Sequence, residues 1–277
     1  MSNEFFREER NALVEKGFEK AQALITRDAI DPKRFINLYG KENVERDLRY
    51  VADNEEAWNA ARAKESPETI EKMKRATVLE AILHEHGELS EWFGGKVTMI
   101  KTSRFDDINR GVDSIAEFEG KDGYSFLAMA IDATASQHVG GKIAHIAAKI
   151  KGGHLASVKY FEAENLEMRG ELSGIPHVIV AADQKTIDEL TELWLTGRNS
   201  ELGKHPIQFQ ILEEIEMQCT AFAAFAQRVG QDEIAEQYLK MKELITGLQS
   251  EKKQTLKDSG KRDDAMYAIR EELRLLE

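Results

Sequence analysis

The chain has 277 residues, 42% of them hydrophobic and 32% charged, with a formal net charge of −12, four prolines and one cysteine. It has length for one large domain or a core with additions, and it contains no run of about 18 apolar residues that would cross a membrane. The lone Cys219 excludes an internal disulfide, and the charged opening MSNEFFREERNALVEKGFEK lacks a signal-type apolar segment, so a cytoplasmic protein is expected.

The first 75 residues read as helices. Phe5, Leu13, Phe18, Ala21 and Leu24 fall at helical spacing among charges; Asp31-Pro32 opens a second helix that Gly40 ends; Asn43 to Ala63 is a third, and Ser66-Pro67 restarts the chain. From Thr77 to Trp92 a helix carries the apolar stripe Leu79, Ile82, Leu83 and Leu89, with Glu80 and His84 one turn apart at its margin. Gly94-Gly95 closes it, and Val97 to Ile100 is the first expected strand. A loop containing Phe105-Asp106-Asp107-Ile108 follows.

Two strands, Val112 to Phe118 and Tyr124 to Ile131, flank Gly120-Lys121-Asp122-Gly123, the composition of a short hairpin turn. Centring that turn between Lys121 and Asp122 sets Asp113 opposite Ala130 and beside Asp132. The period-two alternation then places Asp113, Ile115, Glu117, Phe126, Ala128, Ala130, Asp132 and Thr134 on one face. Diagonal neighbours in such a pair lie roughly 7–8 Å apart, within reach of two carboxylates converging on one divalent cation. Acids at hairpin ends are ordinarily solvated, but Asp132 ends the apolar run Phe126 to Ile131, where a charge calls for a partner or a metal.

The next helix has the stripe Ile143, Ile146, Ala147, Ile150, and beside it Lys142, His145 and Lys149 at i, i+3 and i+7. Strands are expected over Ala156 to Phe161 and Pro176 to Ala182, with a loop between them, and Asp183 caps a helix from Lys185 to Leu195. From His205 onward two long amphipathic helices joined at Gly230 form an antiparallel pair, ending with a short helix from Tyr267 to Leu276. Such a pair packs on its own core or on a second subunit as a homodimer, and the sequence leaves both open. Between Lys96 and Lys159 nine basic residues face seven acids, a charge of +2 inside acidic flanks that suits a polyanion weakly. Gly140-Gly141-Lys142 is no Walker loop, since Ile143 stands where Ser or Thr belongs.

The order of helix with Glu80, strand, hairpin with Asp113 and Asp132, helix and strand resembles the core of the PD-(D/E)XK nuclease-like superfamily over about Thr77 to Leu195. The resemblance rests on Phe105-Asp106-Asp107-Ile108, Gly111-Val112-Asp113, Ile131-Asp132-Ala133-Thr134 and Val158-Lys159-Tyr160-Phe161. It implies an α/β fold with a central mixed sheet flanked by helices, a restriction-endonuclease-like core over 76–198, a helical extension over 1–75 and a helical hairpin over 199–277. It further implies Mg²⁺ or Mn²⁺ held by Asp113 and Asp132, with Glu80 assisting. The substrate class the resemblance implies is DNA or RNA, and no membrane partner is expected. The departure is Thr134, which stands where the superfamily has lysine; by analogy with members that move this lysine to the following helix, Lys142 substitutes, with Lys149 and Lys159 behind it. Without a lysine at the site, the same fold would serve as a noncatalytic nucleic-acid- or protein-binding module.

Overall fold

In a computed structural model, which describes residues 3–120, 123–132 and 137–276, the chain opens with α1 (Asn3–Asp28), a 3₁₀ turn (Pro32–Phe35), α2 (Ile36–Tyr39), α3 (Lys41–Arg62) and α4 (Pro67–Leu89). The sheet region follows as β1 (Val97–Lys101), α5 (Arg104–Arg110), β2 (Ser114–Gly120), β3 (Gly123–Asp132), α6 (Gln137–Lys151), β4 (Ala156–Glu162), β5 (Arg169–Ile175) and β6 (His177–Ala181). The chain closes with α7 (Gln184–Leu195), α8 (Asn199–Leu202), α9 (Ile207–Arg228), α10 (Asp232–Thr255) and α11 (Asp264–Arg274).

The protein is thus α/β. A four-stranded mixed sheet runs in the order β1-β2-β3-β6, antiparallel through β3 and parallel between β3 and β6, and β4 and β5 form a second, two-stranded sheet. In the β2–β3 pair Ser114 opposes Met129 and Gly120 opposes Gly123, the register expected from the sequence. One residue before β2, the Asp113 N–H donates to Met129 O at 2.9 Å and extends the pairing. The turn residues Lys121 and Asp122 lie outside the described residues.

Alternation along the strands gives the four-stranded sheet two buried faces. Ala116, Phe118, Leu127 and Met129 face a core built with Leu79, Ile82 and Leu83 of α4. That core also takes in Ala21 and Leu24 of α1, Ile143 and Ile146 of α6, and Ile211, Ile215 and Phe222 of α9. The amino- and carboxyl-terminal helices therefore share a core with the sheet. The opposite face presents Ile100, Ile115 and Ala128 to Val158 and Tyr160 of β4, Phe105 of α5 and Phe35.

Three segments differ from expectation. Ser66 caps one uninterrupted helix, α4, because nothing in its interior breaks the ladder until Ser90. The Phe105–Ile108 segment is helical: Ser103 caps α5 by accepting from Asp106 N, and Gly111, at φ 70, ends it in a left-handed turn. The loop after β4 contains β5, which turns back on β4 through an irregular register.

The outer edge of β6 is covered by side chains. Tyr238 Oη accepts from His177 N at 3.2 Å and donates to His177 O at 3.0 Å, and Gln218 accepts from Ile179 N at 2.8 Å and donates to Ile179 O at 2.6 Å. Glu214 accepts from Ala181 N at 3.1 Å, and Asp263 accepts from Asp183 N at 2.8 Å. Helices α9 and α10 and the residue capping α11 thus satisfy alternate residues of a strand that would otherwise offer an open edge. Burial pushes the Glu214 carboxyl well above the ordinary carboxylate range, which favours its neutral form in that interior.

Candidate functional site

The ends of β1 and β2 are tied together before any charged group is considered. Thr102 Oγ1 donates to Val112 O at 2.6 Å and to Asp113 O at 3.0 Å, and the Lys101 ammonium also donates to Asp113 O. With its N–H on Met129, the Asp113 backbone is held from both neighbouring strands. A side chain on so constrained a backbone is positioned with little freedom left to lose.

Five charged residues meet there. Lys101 is 3% exposed, and its Nζ lies 2.9 Å from Glu80 Oε1 on α4. Burial works against the Lys101 charge, yet Glu80, with Asp107 and Asp113, holds the ammonium above its ordinary value. The Asp113 carboxyl is pushed well above the carboxylate range, first by burial and then by Asp107 and Glu80, while Lys142 and Lys101 oppose the shift. Acids gathered against their mutual repulsion, with lysines beside them, are the arrangement from which cation and phosphate sites are built.

Of the residues expected at the site, Glu80, Asp113 and Lys142 come into one electrostatic neighbourhood. Asp132 ends β3 opposite Ala181 of the parallel β6, and Ala130 precedes it opposite Ile179. The register therefore sets Asp132 diagonally across from Asp113, but its side chain lies outside the described part of the structure, as do Ala133 and Thr134. Glu80 enters already paired with Lys101. His84, its neighbour one turn on, binds Asp28 at 3.2 Å through Nε2.

The two reserve lysines are engaged elsewhere. Lys159 pairs with Asp47, and its ammonium lies 5.2–5.5 Å from the ring centres of Tyr39, Phe105 and Tyr160, a cation held among aromatic rings. Lys149 donates to Arg110 O at 3.2 Å. The Asp106-Asp107 pair divides its labour. Asp106 is fully buried and accepts from Ser103 Oγ at 2.6 Å, Lys159 N at 2.6 Å and Tyr160 N at 3.1 Å, fixing α5 to β4. Asp107 pairs with Arg104 and adds its charge to the Asp113 cluster.

Lys101 and Asp107 are the members that sequence reasoning missed. The one local signal for Lys101 is a lysine placed directly after the apolar run Val97 to Ile100, a charge at the end of a buried strand. Carboxylate oxygens suit a hard divalent cation. Among the described residues no three His, Cys, Asp or Glu side chains gather closely enough to hold a metal, so the fit of such an ion rests on Asp132 completing the set. Compared with protein-family models, with curated proteins and with solved structures, the chain matches none.

Proposed function

We propose that the protein is a divalent-metal-dependent, nuclease-like phosphodiester hydrolase acting on DNA or RNA, with its site at Asp113 and Asp132. The observation that supports this reading is the Asp113 carboxyl, driven toward its neutral form by burial, Asp107 and Glu80 on a backbone clamped from two strands. A cation beside such a group relieves the repulsion and restores the carboxylate.

Asp113 and Asp132 would hold Mg²⁺ or Mn²⁺, which supplies Lewis-acid polarisation of a phosphoryl oxygen and acidifies water. Lys142, half-buried on α6 and close enough to counter the Asp113 charge, stabilises negative charge developing on the phosphoryl group. Lys101 acts through the backbone: it binds Asp113 O and Glu80 and keeps the carboxylate of Asp113 in register. Glu80 in this arrangement is chiefly the counter-ion of Lys101.

That pairing, together with threonine at position 134, favours a second reading in which the same surface binds nucleic acid or protein without cutting it. Calorimetry with Mg²⁺ and Mn²⁺ on the wild type, Asp113→Asn and Asp132→Asn, followed by cleavage assays on single-stranded and duplex oligonucleotides, separates the two. Metal binding and cleavage that vanish together in both variants support hydrolysis, and metal binding without cleavage supports the noncatalytic module. A wild type that binds neither ion, with or without nucleic acid, refutes the shared-cation site.

A further inference from the structure

A second cluster of basic groups lies along α6, one element away from Asp113. The stripe Lys142, His145, Lys149 leads from the acidic cluster to an open cavity of about 750 Å³ whose lining includes Arg110, His145, Lys149, His154 and Ser157. Glu233 is the acid among its lining residues, and Glu171 approaches from outside the lining to meet Arg110 at 3.4 Å. The Arg110 guanidinium also donates to Ser157 Oγ, and the Lys149 ammonium to the Arg110 carbonyl, which brings two basic side chains onto one wall. Burial lowers the Lys149 ammonium below its ordinary value, and the neighbouring Arg110 charge lowers it further. His145 is likewise lowered, by burial and then by Lys149. The Lys149 ammonium and the Arg110 guanidinium, which Glu171 pairs from one side, thus share a half-buried wall, and an anion between them offsets the cost their proximity imposes on Lys149.

We infer that this cavity binds a phosphate group, with Arg110 and Lys149 as its ligands and His145 and His154 at its rim. Arg110 offers a planar donor fork and Lys149 a point charge, the two side chains that phosphate recognition uses most. From Lys142 to Lys149 the helix rises about 10 Å, which matches roughly three nucleotide steps at 3.4 Å per step along one strand. The inference rests on the phosphodiester reading for the origin of that phosphate: a strand engaged at Asp113 passes the cavity about three nucleotides away. The phosphate site itself stands on the cavity and its cations alone.

The test is run in EDTA, so that metal binding and cleavage play no part. Fluorescence anisotropy measures single-stranded and duplex oligonucleotides, and calorimetry measures inorganic phosphate, against the wild type, Lys149→Gln, Arg110→Gln and Lys149→Arg. Lys240→Gln, on the exposed face of α10, serves as the control for general loss of charge, and thermal melts establish that each variant is folded. The expected result is several-fold weaker oligonucleotide binding in Lys149→Gln and Arg110→Gln, with the slope of log K against log salt reduced by about 0.7 for single strands and 0.9 for duplex. Lys149→Arg retains binding and Lys240→Gln changes nothing. Oligonucleotide binding that depends on Lys149, in a protein that cleaves nothing when metal is restored, keeps the cavity and refutes hydrolysis. Phosphate binding that depends on Lys149 without oligonucleotide binding keeps the cavity and removes nucleic acid as its source. Binding of either ligand that is indifferent to both substitutions, or no binding of either by the wild type, overturns the inference.

Discussion

Replacing Glu80 by glutamine separates the structural part of the acidic cluster from its chemical part. Lys101 is 3% exposed, and among the described residues Glu80 is the carboxylate at ion-pair distance from it, 2.9 Å away. Its other acceptor is the neutral Asp113 carbonyl. Removing one partner of a buried pair leaves the other charge uncompensated and costs roughly 3–5 kcal/mol, out of a total stability on the order of 5–15 kcal/mol. With a urea m-value near the upper end of about 1–3 kcal/mol/M for a chain of this size, the midpoint falls by about 1–2 M. Lys101→Met alone costs less, because Glu80 keeps some contact with water, its side chain being 15% exposed. The double variant Glu80→Gln/Lys101→Met recovers most of the loss, since two apolar or neutral groups replace a pair whose desolvation offset most of its attraction. Urea denaturation of the four proteins at pH 7 checks the cycle. A Glu80→Gln midpoint within about 0.2 M of the wild type would refute the buried pair and return Glu80 to the list of free metal ligands.

Three further outcomes are expected. The His177 imidazole, with neither ring nitrogen hydrogen-bonded in ordinary geometry, is pushed down to about 3 by burial and by Lys149, His145 and Lys142. The folded state therefore takes up that proton less readily than the unfolded chain, so this contribution is present above about pH 6.5 and is lost as pH falls toward 3. Between pH 7 and 5 it amounts to about 2 kcal/mol, which urea melts register in the wild type and which His177→Leu lacks. Gln218→Leu leaves both polar groups of Ile179 without their side-chain partners in the interior and costs roughly 2–5 kcal/mol, measured in the same way. Ser103→Ala removes the cap of α5 and its bond to Asp106, costing about 1–2 kcal/mol, with the loss seen in the thermal midpoint.

The parts of this fold that were legible in sequence are those whose information is local. Gly120 and Gly123 around a two-residue turn, with alternation on both sides, fix the β2–β3 register to the residue, and Asp183 announces α7 by its position before an apolar stripe. The spacing Ser103-x-x-Asp106 before Gly111 carried a helix signal of the same local kind, outweighed by the surrounding polarity of Asp106, Asp107, Asn109 and Arg110. β5 gave little to read: its apolar residues are Leu172 and Ile175, and Gly170 and Gly174 take positive φ, so neither alternation nor β-propensity marks it. Lys101 was out of reach for another reason. Its partners come from α4 and from the residue before β2, and only the assembled fold brings them together. Gln210, Glu214 and Gln218 repeat every four residues inside an apolar stripe, a pattern that foretells polar groups with buried work to do but not which strand they serve.

The placement of the acidic cluster follows from how the sheet's borders are used. β6 is sealed by Tyr238, Gln218, Glu214 and Asp263. On β1, Met99 N donates to Glu88 at 3.5 Å and Lys101 O accepts from Ile30 N at 3.3 Å. The β6 border is thus closed to strand addition by a partner, and the β1 border is covered at Met99 and Lys101. The two faces are buried as well, one under the long helices and the other under β4 and β5. The end of the sheet where the parallel strands β3 and β6 finish, β2 begins and α6 starts is a different kind of border, since crevices outside the carboxyl ends of parallel strands are where α/β proteins place ligands. Asp113, Asp132 and Lys142 belong to that end by topology before any side-chain contact is considered, and the basic stripe of α6 continues from it toward Arg110 and Lys149. The two regions differ in sign, acids with Glu80 and Asp107 around Asp113 and cations at Arg110 and Lys149, so under the proposed reading a phosphodiester strand would meet the basic groups directly and the acidic end only through a bound cation.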